Sequence, residues 1–139
     1  MTPSKAPLPF LGTWKLTKCE SSHPDLPHPA SGITTFTQEE DAIHYGAETT
    51  WSDGRTVKAS ALLKLDGTWC PVTGSQVADS LSLRLLENGA PDVKMRKGGA
   101  DVGKTHSTYS ANGRTMTGHW EITGPGGKTI TWTTTSERQ

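Results

Sequence analysis

Glycine-rich turn sequences recur along this chain at short intervals, and they leave room for little except β-strands. Ser52-Asp53-Gly54, Asp66-Gly67, Asn88-Gly89, Gly98-Gly99, Ala111-Asn112-Gly113 and Gly124-Pro125-Gly126-Gly127 punctuate it. Each supplies a residue that enters the left-handed backbone region at little steric cost, as a tight hairpin requires. The runs between them are of strand length. They predict strands over residues 11–18, 33–38, 42–51, 55–65, 80–86, 92–97, 102–110, 114–122 and 128–135. Short links and no long mid-chain crossover point to an all-β fold, an antiparallel up-and-down β-barrel of about eight to nine strands. Closing the sheet also removes the exposed edges that an open meander would carry.

A length of 139 residues suits a single domain, 1–139, with residues 1–9 and their three prolines forming an irregular N-terminal arm. Hydrophobic residues make up only 32% of the chain, a balance that fits half-buried strands better than buried helices. Fourteen basic residues offset fourteen acidic ones, and no basic stripe is present. No nucleic-acid partner is therefore expected. No apolar run approaches a membrane span and the N-terminus lacks a signal-like apolar region, so no membrane partner and a cytoplasmic location are expected. Cys19 and Cys70 do not have metal-type spacing and read either as two free thiols or as a single disulfide. The Pro-rich stretch 20–32 is either a lid over a cavity or a plain surface crossover.

Strand register decides what faces inward, because a one-residue slip exchanges the two faces of a strand. At Ser52-Asp53-Gly54, a three-residue loop pairs Thr49 with Val57, Ala47 with Ala59, Tyr45 with Ala61 and Ile43 with Leu63, gathering the apolar residues on one face. A two-residue turn scatters them. The outer face then carries His44 and Glu48. By analogy, a three-residue loop at Ala111-Asn112-Gly113 pairs His106 with Gly118 and Lys104 with Trp120, turning His106 inward. The rival two-residue register pairs His106 with His119 outside and brings Tyr109 in. Alternation also places Trp14, Leu16, Leu81, Leu83, Leu85, Val93, Met95, Met116, Ile122, Ile130 and Trp132 inside. Aromatic walls mixed with small residues suit a pocket for a flat or apolar ligand, or alternatively a barrel filled by its own tryptophans.

Gly12-Thr13-Trp14, on the first strand after an N-terminal arm, resembles the opening motif of the lipocalin and calycin superfamily. Trp14-Lys15-Leu16 with its Ser/Pro-rich loop, Asp66-Gly67 leading to Pro71-Val72-Thr73-Gly74, and Ala111 to Thr117 resemble the small bacterial lipocalin-like proteins. The second and third lipocalin motifs are not recognisable. The resemblance implies that Trp14 closes the barrel floor and that Arg138 is the one arginine placed to pack on it. Relatives of this barrel type include carriers of apolar ligands, haem binders and a few cofactor-free lyases, cyclases and isomerases.

The function expected is binding of a small apolar or aromatic molecule inside the barrel, with Trp51, Ala61, Leu63, Met95, Lys104, Met116, Gly118, Trp120 and Trp132 as ligand-binding residues. The alternative is a cofactor-free isomerase, cyclase or lyase, with His106 as acid–base and Tyr45 assisting. No cofactor and no metal site are expected: His23 and His28 lack identifiable partner ligands, and no helix follows the glycine-rich 124–127 turn to cradle a phosphate. The chain is expected to act as a monomer or homodimer.

Overall fold

A computed structural model describes residues 8–75, 77–87 and 89–139. Residues 1–7 of the expected arm, and Asn88 of the expected Asn88-Gly89 turn, lie outside the described residues. The turn signals produce ten strands: β1 (Gly12–Ser21), β2 (Pro29–Glu39), β3 (Ala42–Trp51), β4 (Thr56–Lys64), β5 (Asp66–Thr73), β6 (Ser80–Leu85), β7 (Pro91–Lys97), β8 (Ala100–Tyr109), β9 (Thr115–Thr123) and β10 (Thr129–Arg138). Each pairs antiparallel with its sequence neighbours, and β10 returns to β1, so the sheet closes on itself. No helix of the described residues is long and apolar enough to cross a membrane.

The strand count exceeds the eight to nine expected because of β5. Asp66-Gly67 opens this strand, and Pro71 within it disguises it as a loop. The Val72 N–H donates to the Asp79 carbonyl on the β6 side at 3.0 Å, so the adjacent Pro71 nitrogen faces β4. There the β4–β5 ladder holds only two pairs, Ser60 with Thr73 and Ala61 with Val72. The missing donor thus falls on the barrel's thinnest seam, where a proline is tolerated.

The two hairpins expected to be alike differ by one residue. After Trp51 the loop is the three-residue type: Gly54 N–H donates to Trp51 C=O at 2.9 Å and Trp51 N–H to Arg55 C=O at 2.8 Å. The pairs Thr49–Val57, Ala47–Ala59, Tyr45–Ala61 and Ile43–Leu63 all form, and His44 and Glu48 face outward. After Tyr109 the loop holds a fourth residue, and Ser110 N–H reaches Thr115 C=O at 2.9 Å. The Ser110 hydroxyl accepts the Thr115 N–H at 3.0 Å and donates to Asn112 Oδ1 at 2.7 Å, which also accepts the Arg114 N–H at 3.1 Å. These side-chain bonds stabilise the longer loop. They shift the register so that His106 pairs with His119, Lys104 with Glu121 and Ser107 with Gly118.

The barrel floor is built on the first motif. Trp14 is fully buried and donates its indole N–H to the Phe10 carbonyl at 2.9 Å. The Arg138 guanidinium lies 4.4 Å from the Trp14 ring and donates to the carbonyls of Pro9, Leu11 and Gly113. Gly12 adopts φ 120°, and a Cβ there would sit 2.7 Å from the Arg138 Nη1. Its glycine therefore serves both the backbone and the arginine. Tyr109 (5.9 Å from Trp14) and Phe10 edge-on to Phe36 (5.3 Å) complete an aromatic plug.

Candidate functional site in the barrel lumen

Above this plug the inward faces of the strands enclose a cavity of about 200 Å³. Part of its wall is aliphatic, with Leu63, Leu81, Leu83 and Met95, and part is aromatic, with Trp51, Trp120 and Trp132 toward the β1–β2 link. Small residues, Ala47, Ala59 and Gly118, leave the space between. Position 118 has a local reason to be glycine. A Cβ there would lie 2.6 Å from Thr134 Oγ1 and 2.9 Å from Trp120 Nε1, where the indole donates to the hydroxyl at 3.1 Å.

Of the residues expected to bind or act on a ligand, Tyr45, Trp51, Leu63, Met95, Met116, Gly118, Trp120 and Trp132 line this cavity. Ala61 is buried in the adjoining core without lining it. Two expectations are corrected. His106 lies on the outer face, stacked on His119 with ring centroids 5.0 Å apart, and Lys104 lies outside with its ammonium 3.4 Å from Glu121. Both corrections follow from the fourth residue in the loop after Tyr109. With them the lumen loses its one expected imidazole and its one expected cation.

The site also contains side chains that sequence reasoning passed over. Thr105 and Ser107 of β8, Thr134 and Ser136 of β10, and Thr34 and Ser75 add hydroxyls to the lining, beside the Thr49 that the β3–β4 register already turned inward. The signal was the alternation itself: two residues past Trp132 come Thr134 and then Ser136, on the same face.

Among the described lining residues Tyr45 carries the one acidic or basic group, and burial pushes its phenol up to about 12, so it is neutral at ordinary pH. Burial likewise raises the Tyr109 phenol in the floor. The described lining is thus uncharged, with hydroxyls as its polar side-chain groups and the Trp51 and Trp132 N–H groups buried in its wall.

The three upper tryptophans differ in how their N–H groups are satisfied. Trp120 is bonded to Thr134, whereas the N–H groups of Trp51 and Trp132 are buried with no hydrogen-bond partner among the described residues. Trp132 packs edge-on against Trp51 at 5.6 Å and tilted against Trp120 at 5.9 Å. Over this end runs the β1–β2 link. Ser22 N–H donates to Thr131 C=O at 2.9 Å, and Ser52 N–H donates to His28 C=O at 2.8 Å. The link is therefore a strap, tied beside Trp132 at one end and beside Trp51 at the other.

No family model matches the sequence, and no curated protein matches it. Solved structures do share the fold. A zebrafish ileal bile acid-binding protein complexed with cholic acid superimposes with a TM-score of 0.57 at 13% identity, covering 94% of this chain and 99% of that one. The S-type phycobiliprotein lyase CPES from Guillardia theta gives 0.60 at 14% identity, with 94% and 89% covered. Rv2717c from M. tuberculosis gives 0.57 at 12%, with 94% and 93% covered. The lipocalin-like, calycin-type barrel that Gly12-x-Trp14 suggested is the fold of this chain.

Proposed function

We propose that this barrel binds one small, predominantly apolar molecule in its lumen. The observation that carries the reading is the cavity of about 200 Å³, walled by aromatic and small side chains and free of charged groups among the described residues. Such a space favours removal of apolar surface from water, and its few polar groups orient what enters. That structural neighbours include a protein in complex with cholic acid agrees with a barrel of this type holding a small molecule. One chain encloses the whole cavity, so binding needs no second copy. Cys19 and Cys70 are free thiols, which fits a reducing, cytoplasmic setting.

A calorimetric titration with naphthalene tests the reading. The unmodified protein is expected to bind it saturably at one site. The double variant Ala47→Phe/Ala59→Phe, which fills the lumen from two directly paired positions, is expected to bind at least about tenfold more weakly while keeping its strand spectrum. Equal binding by the filled variant would place the site outside the barrel and end the proposal.

A further inference from the structure

We propose that the lumen selects an uncharged molecule of one or two rings bearing a carbonyl-type oxygen, and that Trp51 and Trp132 hold this oxygen through their indole N–H groups. The inference rests on the lumen being the binding site, and it adds which chemistry is bound there.

The tryptophans differ in what their N–H groups meet. Trp14 and Trp120 have partners for their N–H groups, and Trp69 lies outside the lumen beneath the Arg96 guanidinium at 4.0 Å. Trp51 and Trp132 are the two whose N–H groups are buried unpaired among the described residues; both residues line the cavity, and an acceptor in the lumen meets their N–H groups once the indoles turn toward it. Buried donors without acceptors are rare in folded proteins, because desolvation is then uncompensated. An acceptor oxygen on a ligand supplies what the protein withholds. Indole nitrogen donates only, so the complementary ligand atom is an acceptor, as in a ketone, ester, amide or quinone.

Charge points the same way. Among the described lining residues no Lys, Arg or His could neutralise a carboxylate, and no Asp or Glu could neutralise an amine. Tyr45 stays protonated because burial pushes it up to about 12. An ionised ligand would be desolvated without a counter-ion, which is unfavourable. Cavity size sets the number of rings. An apolar protein cavity of about 150 Å³ accommodates benzene, so about 200 Å³ admits one ring or two fused rings. The edge-on Trp51–Trp132 pair offers such rings an aromatic wall.

Three probes of nearly equal shape separate these points: 2-acetonaphthone, its olefin isostere 2-isopropenylnaphthalene, and 2-naphthoate. Titrated calorimetrically, the ketone is expected to bind roughly 3- to 10-fold more tightly than the olefin for each indole donor engaged. The carboxylate is expected to bind at least about tenfold more weakly than the ketone. In Trp51→Phe/Trp132→Phe the ketone's advantage over the olefin should vanish while both still bind. A measurement on the unmodified protein guards against a variant that fails to fold: two indole N–H resonances should move downfield with the ketone and not with the olefin. Equal affinities for ketone and olefin, or an advantage that survives in the double variant, would overturn the inference while leaving the lumen as the binding site. Failure of all three probes to bind would overturn the inference and the proposed function together.

Discussion

The two ends of the barrel both rest on tryptophan, and they use it in opposite ways. At the floor, Trp14 is fully enclosed, its N–H is bonded to Phe10 C=O, and its ring is covered by Arg138. At the strapped end, Trp51 and Trp132 are packed as rings, yet their N–H groups bond to no described residue. A tryptophan whose every group is satisfied by its own chain is finished structure. One whose donor is buried without a partner is structure awaiting a ligand. The difference separates stability from function along a barrel axis that composition alone would not divide.

The largest expected effect lies at the floor. Trp14→Ala should lower the unfolding free energy by about 3–5 kcal/mol in urea titrations, since it opens a cavity and leaves the Phe10 carbonyl without its donor. A loss below about 1 kcal/mol would break the comparison. Arg138→Met comes next, at about 2–4 kcal/mol, because three backbone carbonyls lose a charged donor and the Trp14 ring loses its cation. Arg138→Lys should recover little of this, because a single ammonium does not reproduce the planar fork that reaches three carbonyls.

At the other end the same chemistry should matter less to folding. Gly118→Ala is expected to cost about 1–3 kcal/mol by forcing apart Trp120 and Thr134, and to weaken naphthalene binding in the same calorimetric assay. Trp132→Phe deletes an N–H that bonds to nothing in the described chain, so it should cost only what the lost ring volume costs, roughly 1–2 kcal/mol. Trp14→Phe should cost about 1–3 kcal/mol more than that, for the orphaned carbonyl. Equal losses at the two sites would erase the distinction.

A further effect, confined to alkaline solution, is one of pH. Burial raises the Tyr45 phenol from 10.0 to about 12, and burial together with Glu20 raises the Cys19 thiol from 9.0 to about 11. Both groups hold their protons more tightly folded than unfolded, so their contribution is complete below pH 9. It is lost as pH rises through 9 to 12. For Tyr45 the loss is on the order of 2–3 kcal/mol. Urea midpoints should therefore be steady to pH 9 and fall above it, and Tyr45→Phe should flatten the part of the fall between pH 10 and 12.

How much of this the chain disclosed depended on local chemistry. The β3–β4 hairpin was legible because Tyr45, Ala47, Ala59 and Leu63 share one face in a single register. The β8–β9 hairpin was misread because Ala111-Asn112-Gly113 resembles Ser52-Asp53-Gly54, while the fourth loop residue, Arg114, lies outside the tripeptide and the longer loop is held by the Ser110 hydroxyl. That one hydroxyl moved His106 from the lumen to the surface and removed the acid–base group on which a catalytic reading depended. Strand β5 was hidden by Pro71, whose tolerance depends on a seam visible only after the barrel closes. The hydroxyl lining was hidden because Thr and Ser at alternate positions of β8 and β10 read equally well as an outer face. The unpaired N–H groups of Trp51 and Trp132 have no sequence signature; only a packed structure shows which indole lacks a partner.

In the proposed complex the strapped end of the lumen receives the polar end of a small neutral ligand. A crystal structure of the unmodified protein with 2-acetonaphthone tests it most directly. The naphthalene ring is expected between Ala47, Ala59 and Gly118, with the ketone oxygen within hydrogen-bonding distance of the Trp51 or Trp132 N–H. A ketone seated on the outer sheet beside His106 and His119, or lying in the lumen with its oxygen turned toward the Trp14 floor, would contradict it.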